Sequence, residues 1–170
     1  MQSQSSKPFL LFKDFSRGQL EALTLTPKGT LTLDPQSWQP CPRNPLHLKE
    51  PFFCGRWTSP VLETAFQEAI ASWEAETPPG TWVEILLQAK TGEGWTGWYS
   101  MGLWHDGRGP FPRTSLPGEE DAFGKVETDT LVLSKEADAL RLQAMLYTAD
   151  PSARPLLRQV AVTFAPPLRQ

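Results

Sequence analysis

From Thr81 to Ala89 the chain alternates strictly: Thr81, Val83, Ile85, Leu87 and Ala89 fall on one parity, and Trp82, Glu84, Leu86 and Gln88 on the other. A period of two is what a half-buried antiparallel strand requires, because successive side chains leave opposite faces of the pleat. Pro78-Pro79-Gly80 cannot continue a ladder, since each proline lacks an N–H, so a turn precedes the strand. Thr91-Gly92-Glu93-Gly94 supplies the glycines of a short hairpin loop, and Trp95 to Trp104 reads as the returning strand. On that strand Trp95, Tyr99, Met101 and Leu103 share the parity expected to be buried, while Trp98 and Trp104 point the other way.

The same period recurs along the chain. Glu21 to Thr26 and Thr30 to Leu33 flank Pro27-Lys28-Gly29 and make a hairpin. Val126 to Leu133 reads as one strand. Leu140, Leu142, Ala144, Leu146 and Thr148 form the inner parity of a second, and Val160, Val162 and Phe164 that of a third. Leu62, Phe66, Ile70 and Trp73 have helical spacing, but Ile70 to Glu76 alternates on its way to the Pro-Pro-Gly turn, which makes that half a strand. Pro60 predicts an edge or a bulge, and the density of Pro, Asn and Gln from Asp34 to Pro51 predicts a long irregular connection. Val83, Ile85, Leu87, Leu140, Leu142, Leu146, Val160 and Val162 are the expected core.

These elements predict an all-β fold, a two-sheet antiparallel β-sandwich of the jelly-roll or galactose-binding-like kind, with about eight or nine strands. Residues 12–164 form its single domain, residues 1–11 a flexible N-terminal arm, and residues 165–170 the start of a linker. Composition agrees: seventeen prolines against twelve glycines in 170 residues require many turns and short elements. A net charge of -3 with no run of Lys or Arg excludes a general phosphate-binding footprint, so nucleic acid is not an expected partner. The apolar runs are too short to insert into a membrane, and Phe9-Leu10-Leu11-Phe12 is too short for a signal-peptide core.

Candidate chemistry is sparse. Cys41 and Cys54 flank one proline-rich loop; an exported domain would join them in a disulfide and a cytosolic one would bury two thiols, and their spacing alone does not decide. A catalytic cysteine needs a base, and His47 and His105 are the only histidines. His47 falls in the irregular connection, neither cysteine begins a recognisable helix, and no catalytic residue is assigned. Two Cys and two His without ligand spacing make no zinc site. Glu119, Glu120, Asp121, Glu127 and Asp129 can supply oxygens to a structural calcium, with Glu120, Asp121 and Asp129 the foremost, although a solvated acidic loop is the simpler and favoured explanation. The seven tryptophans are the remaining feature. Exposed aromatic faces stack on sugar rings or peptide side chains, which makes Trp98, Trp104 and Trp82 the candidate ligand-binding residues for glycan or peptide, although burial in the core or beneath the long loops is the favoured reading of each tryptophan taken singly.

At Thr58-Ser59-Pro60-Val61, at Ser72-Trp73-Glu74-Ala75-Glu76-Thr77-Pro78-Pro79-Gly80-Thr81-Trp82-Val83-Glu84, at Trp98 to Trp104 and at Glu127 to Leu131, the chain resembles the N-terminal domain of a group of exported bacterial proteins. In those proteins a β-sandwich module precedes a papain-like cysteine peptidase domain of the bacteriocin-processing type. The run from Ser72 to Trp82 is the most specific part, and the resemblance spans most of Phe12 to Phe164. Glu74 departs from it, since Asn is expected there, whereas Ser72 and Asp129 agree. The family's catalytic Cys and His lie downstream of this module, so no peptidase role passes to Cys41 or Cys54. The resemblance implies a non-catalytic accessory module, extracellular or in the cell envelope, that positions or targets a downstream peptidase-like domain. A carbohydrate-binding module acting through surface tryptophans is the alternative.

Overall fold

The computed structural model describes residues 9–37, 39–107, 120–127 and 130–165, and every helix-or-strand element within them is a strand. In chain order these are β1 (Phe9–Phe12), β2 (Gln19–Glu21), β3 (Leu23–Leu25), β4 (Leu31–Leu33), β5 (Gln39–Pro40), β6 (Phe53–Thr58), β7 (Leu62–Glu76), β8 (Thr81–Thr91), β9 (Gly94–Trp95), β10 (Tyr99–Trp104), β11 (Gly124–Glu127), β12 (Thr130–Thr148) and β13 (Leu156–Ala165). The all-β class is as the alternation requires. Among the described residues there are thirteen strands, because some predicted strands are cut in two and short strands form within the expected arm and the irregular connection.

All of them hydrogen-bond into one antiparallel sheet, whose main path runs β10-β8-β12-β7-β13-β4-β3. β12 is the spine. Its N-terminal half lies between β11 and β7, its C-terminal half between β8 and β6, and register shifts between Val132 and Ala139 mark the changeover. Bulges sharpen strand twist, so a nineteen-residue strand interrupted by them passes from one set of neighbours to the next without a break. The result is a sheet that nearly closes into a barrel, rather than two separate sheets.

Several boundaries differ from expectation, among them the split of Glu21 to Thr26 at Ala22 into β2, which pairs with β6, and β3, which pairs with β4. Leu62 to Glu76 is strand throughout, with its first half on β12 and its second on β13, so the helical spacing near Phe66 carries no helix. Val126 to Leu133 is not one strand: it contributes to two antiparallel strands, with Val126 paired to Leu131 and Glu127 to Thr130. Phe9 to Phe12 pairs with β13 from Thr163 to Val160, so β1 begins inside the span expected to be a loose arm. Pro60 does interrupt the ladder, separating β6 from β7. The Pro-Pro-Gly turn also forms, with the Thr81 N–H donating to the Pro78 carbonyl at 3.0 Å.

The eight expected core residues are all fully buried, packed with Phe66, Phe164, Trp57 and Tyr99 inside the near-barrel. One expectation about β8 fails. Its outward parity is buried as well, because the chain between β5 and β6 folds back over it.

Candidate functional site

The functional candidates lie on the outward face formed by β6, the C-terminal half of β12, β8 and β10. Antiparallel register fixes its rows: Tyr147 faces Trp82, Met145 faces Glu84, Gln143 faces Leu86 and Arg141 faces Gln88. The rows at one end are covered and those at the other are open.

The cover is the irregular connection foreseen in the sequence. Cys41 and Cys54 are joined, their Cα atoms 5.2 Å apart, which anchors the base of the loop to β6. Leu46, Leu48 and Phe52 then pack over Trp82, Leu86, Leu103, Met145 and Tyr147 as a second apolar cluster. Trp82 and Tyr147 stack with ring centroids 5.2 Å apart, and Phe52 leans on Trp82 at 5.4 Å.

Within this cover Glu84 is 0% exposed. Its Oε1 accepts from Arg43 Nε at 2.9 Å and from the Tyr147 hydroxyl at 2.5 Å, and its Oε2 from Arg43 Nη2 and Ser100 Oγ, both at 2.6 Å. A carboxylate has about four lone-pair sites, and all four are engaged. Hydrogen bonding and charge from Glu84 hold the Arg43 guanidinium charged more firmly than usual. Burial, followed by the Glu84 charge, pushes the Tyr147 hydroxyl well above the ordinary tyrosine value, so it stays protonated and donates. Glu84 is therefore a latch for the loop. With no lone pair to spare, it is not placed to act as a general base.

The open rows hold Trp95, Trp98, Arg141 and Lys90. Trp95 reaches this face through an irregularity: Trp95 pairs with Lys90 but Tyr99 pairs with Leu87, so four steps on one strand answer three on the other. Thr96 closes the gap, its N–H donating to the Ala89 carbonyl at 2.8 Å and its hydroxyl accepting the Ala89 N–H at 3.1 Å. Arg141 lies with its guanidinium 4.5 Å from the centre of the Trp95 ring and 5.6 Å from that of Trp98. Its Nε and Nη2 both donate to Gln88 Oε1, at 3.0 and 2.6 Å.

The tryptophans named from sequence do not form one platform. Trp82 is only 2% exposed, beneath the loop, and Trp98 is half-buried at the margin of the same cluster. Trp104 packs against the main core on the other side of the sheet. The cause is a second bulge. Ser100 pairs with Leu86 and Leu103 with Glu84, leaving Met101 and Gly102 opposite Ile85 alone, and Gly102 takes the positive φ of 109° that this requires. Parity reverses there, turning Leu103 outward and Trp104 inward. Trp95, assigned to the buried stripe by simple alternation, is instead 36% exposed.

The cysteines, being bonded, present no thiol for catalysis. His47 is exposed, and His105 is buried with its Nδ1 accepting the Gly107 N–H at 2.9 Å. Among the described residues no three His, Cys, Asp or Glu converge as a metal site. Of the calcium candidates, Glu119 and Asp129 lie outside the described residues, and Glu120 sits in an isolated bridge with Lys125. Asp121 instead fastens the turn before β11 to β10. Its Oδ1 accepts from the Tyr99 hydroxyl at 2.6 Å and from the N–H groups of Phe123 and Gly124 at 2.9 and 3.1 Å.

Burial pushes the Asp121 carboxyl up, but the Tyr99 hydroxyl and the two backbone N–H groups together hold it below the ordinary aspartate value. Its stabilisation is thus complete above the unfolded value of about 4 and is lost as pH falls through the lower folded value. Asp121→Asn should flatten that part of the acid dependence. Thermal midpoints of both proteins, followed from about pH 6 down to about pH 2, check this; parallel curves would remove Asp121 from the account.

No curated protein matches this chain. Residues 7–165 match the family model described as the Peptidase C39 N-terminal domain. The match runs across the near-barrel and its covering loop, and on it the chain belongs to the family of N-terminal domains of C39 peptidases.

Proposed function

We propose that this domain is a non-catalytic accessory module of an exported bacterial protein, holding or targeting a C39 peptidase domain that follows it in the same polypeptide. The observation that carries the reading is the family match, which spans 7–165 and names the module that stands before the peptidase. Two structural features support it. The only two cysteines are consumed in a disulfide, which leaves no thiol nucleophile, and a disulfide suits an oxidising compartment outside the cytosol. Glu84, a fully buried carboxylate on the candidate face, is saturated with donors and anchors a loop instead of facing a cleft.

The purified domain is expected to hydrolyse no peptide. In the polypeptide that joins it to its peptidase domain, deleting it should leave turnover of a short unstructured peptide unchanged while lowering turnover of the natural protein substrate. Peptide hydrolysis by the isolated domain, abolished by Cys54→Ala or His105→Ala, would overturn the reading.

A further inference from the structure

Arg141 is held in an unusual way for a half-buried cation. Gln88 receives two of its five N–H groups on a neutral carbonyl, which orients the guanidinium without neutralising it, and no carboxylate among the described residues pairs with it. Gln88 is itself fixed, because its Nε2 donates to the Thr96 carbonyl at 2.8 Å. Lys90 stands across from Trp95, two residues beyond Gln88 on the same face, exposed and likewise without an acidic partner among the described residues. The nearby acid Glu93 is already engaged by Lys135 at 2.8 Å. In a chain of net charge -3 this end of the face therefore carries, beside two indole rings, two cations with no ion-pair partner among the described residues.

We propose that Trp95, Trp98, Arg141 and Lys90 bind an acidic polysaccharide, one whose sugar rings carry carboxylates. The exposed indole of Trp95 offers a flat apolar surface to the face of a sugar ring, and the open edge of the Arg141 guanidinium with the Lys90 ammonium meets the carboxylate. An extended acidic peptide fits less well. It supplies carboxylates to the two cations but no flat ring to lie on Trp95, and β12 beneath the site offers it no main-chain partner, being paired with β8 on one side and on the other with β7 and Ser59, whose N–H and hydroxyl take both main-chain groups of Leu142. A nucleic acid needs a track of cations along successive phosphates, and two cations do not make one. The site is independent of the accessory role, and stands or falls whether or not a peptidase domain is attached.

The test is titration of the purified domain with polygalacturonate and with alginate, read by tryptophan fluorescence and calorimetry. Neutral galactan (rings without carboxylates), poly-glutamate (carboxylates without rings) and oligothymidylate are the comparison arms. Binding to a uronate polymer and to none of the others is expected. Trp95→Ala should abolish it and Lys90→Gln should weaken it about tenfold, the loss of one charge-assisted contact. Arg141→Gln should do the same or more; Lys90→Gln, which removes no side-chain partner among the described residues, keeps the test valid if that variant folds poorly. Failure of both uronate polymers to bind, equal binding of poly-glutamate or oligothymidylate, or full binding by Trp95→Ala or Lys90→Gln overturns the proposal.

Discussion

Trp57→Ala is expected to lower the unfolding free energy by about 3–5 kcal/mol, the range for deleting a large aromatic from a packed interior. Trp57 is 0% exposed and sits on β6 between β2 and β12. Phe12 and Phe15 meet its ring edge-on, with centroids 5.5 and 5.0 Å away, and its indole N–H donates to the Phe15 carbonyl at 2.9 Å. The chain after β1 wraps so closely that a Cβ on Gly18 would lie 2.8 Å from the indole nitrogen and 2.5 Å from the Thr58 carbonyl oxygen. Removing the ring thus empties a cavity and unpins the segment that leads into β2. Trp57→Phe keeps most of the volume and should cost about 2 kcal/mol, chiefly for the Phe15 carbonyl left without its donor. Guanidinium unfolding of the two variants measures both; a loss under about 1 kcal/mol for Trp57→Ala would mean that the segment repacks freely.

The core is legible in the sequence because it rests on uninterrupted alternation. Val83, Ile85 and Leu87 on β8, Leu140, Leu142 and Leu146 on β12, and Val160 and Val162 on β13 all lie inward as their parity requires. Alternation also explains where the sequence misleads. Between Trp95 and Trp104 two irregularities, at Thr96–Trp98 and at Met101–Gly102, each reverse the side of the sheet to which later residues point. Gly102 signals the second, and Gly97, next to a threonine whose hydroxyl stands in for a ladder acceptor, signals the first. Simple parity consequently puts the exposed Trp95 inside and the core-packed Trp104 outside.

The covering loop is legible as a loop but not as a lid, because its target is set by long-range packing. Cys41 and Cys54 are visible as a pair, and only the fold brings them together. Glu84 among apolar neighbours on β8 reads as the solvent parity of a half-buried strand. Its partner Arg43 lies 41 residues away in sequence, so no local pattern pairs them. Asp121 likewise looks like one of a group of solvated acids, although it is tied to a tyrosine on another strand.

Arg43→Ala is expected to cost about 3–5 kcal/mol, the range for removing one partner of a buried ion pair, and the reason lies with Glu84 more than with Arg43. Once the guanidinium is gone, a fully buried carboxylate keeps only the Ser100 and Tyr147 hydroxyls, neither of which carries a compensating charge. Glu84→Gln alone should cost less, because the Arg43 side chain is 33% exposed and can turn its charge to water. The decisive variant is the double one. Adding Glu84→Gln to Arg43→Ala removes the stranded charge, so the pair of substitutions should be less destabilising than Arg43→Ala by itself, a sign of coupling that independent sites never give. The disulfide holds the base of the loop to β6 in all three proteins, which confines the comparison to the latch. Denaturant midpoints complete the cycle. If the double variant is weaker than Arg43→Ala, the loop is held by the packing of Leu46, Leu48 and Phe52, and the ion pair is incidental to it.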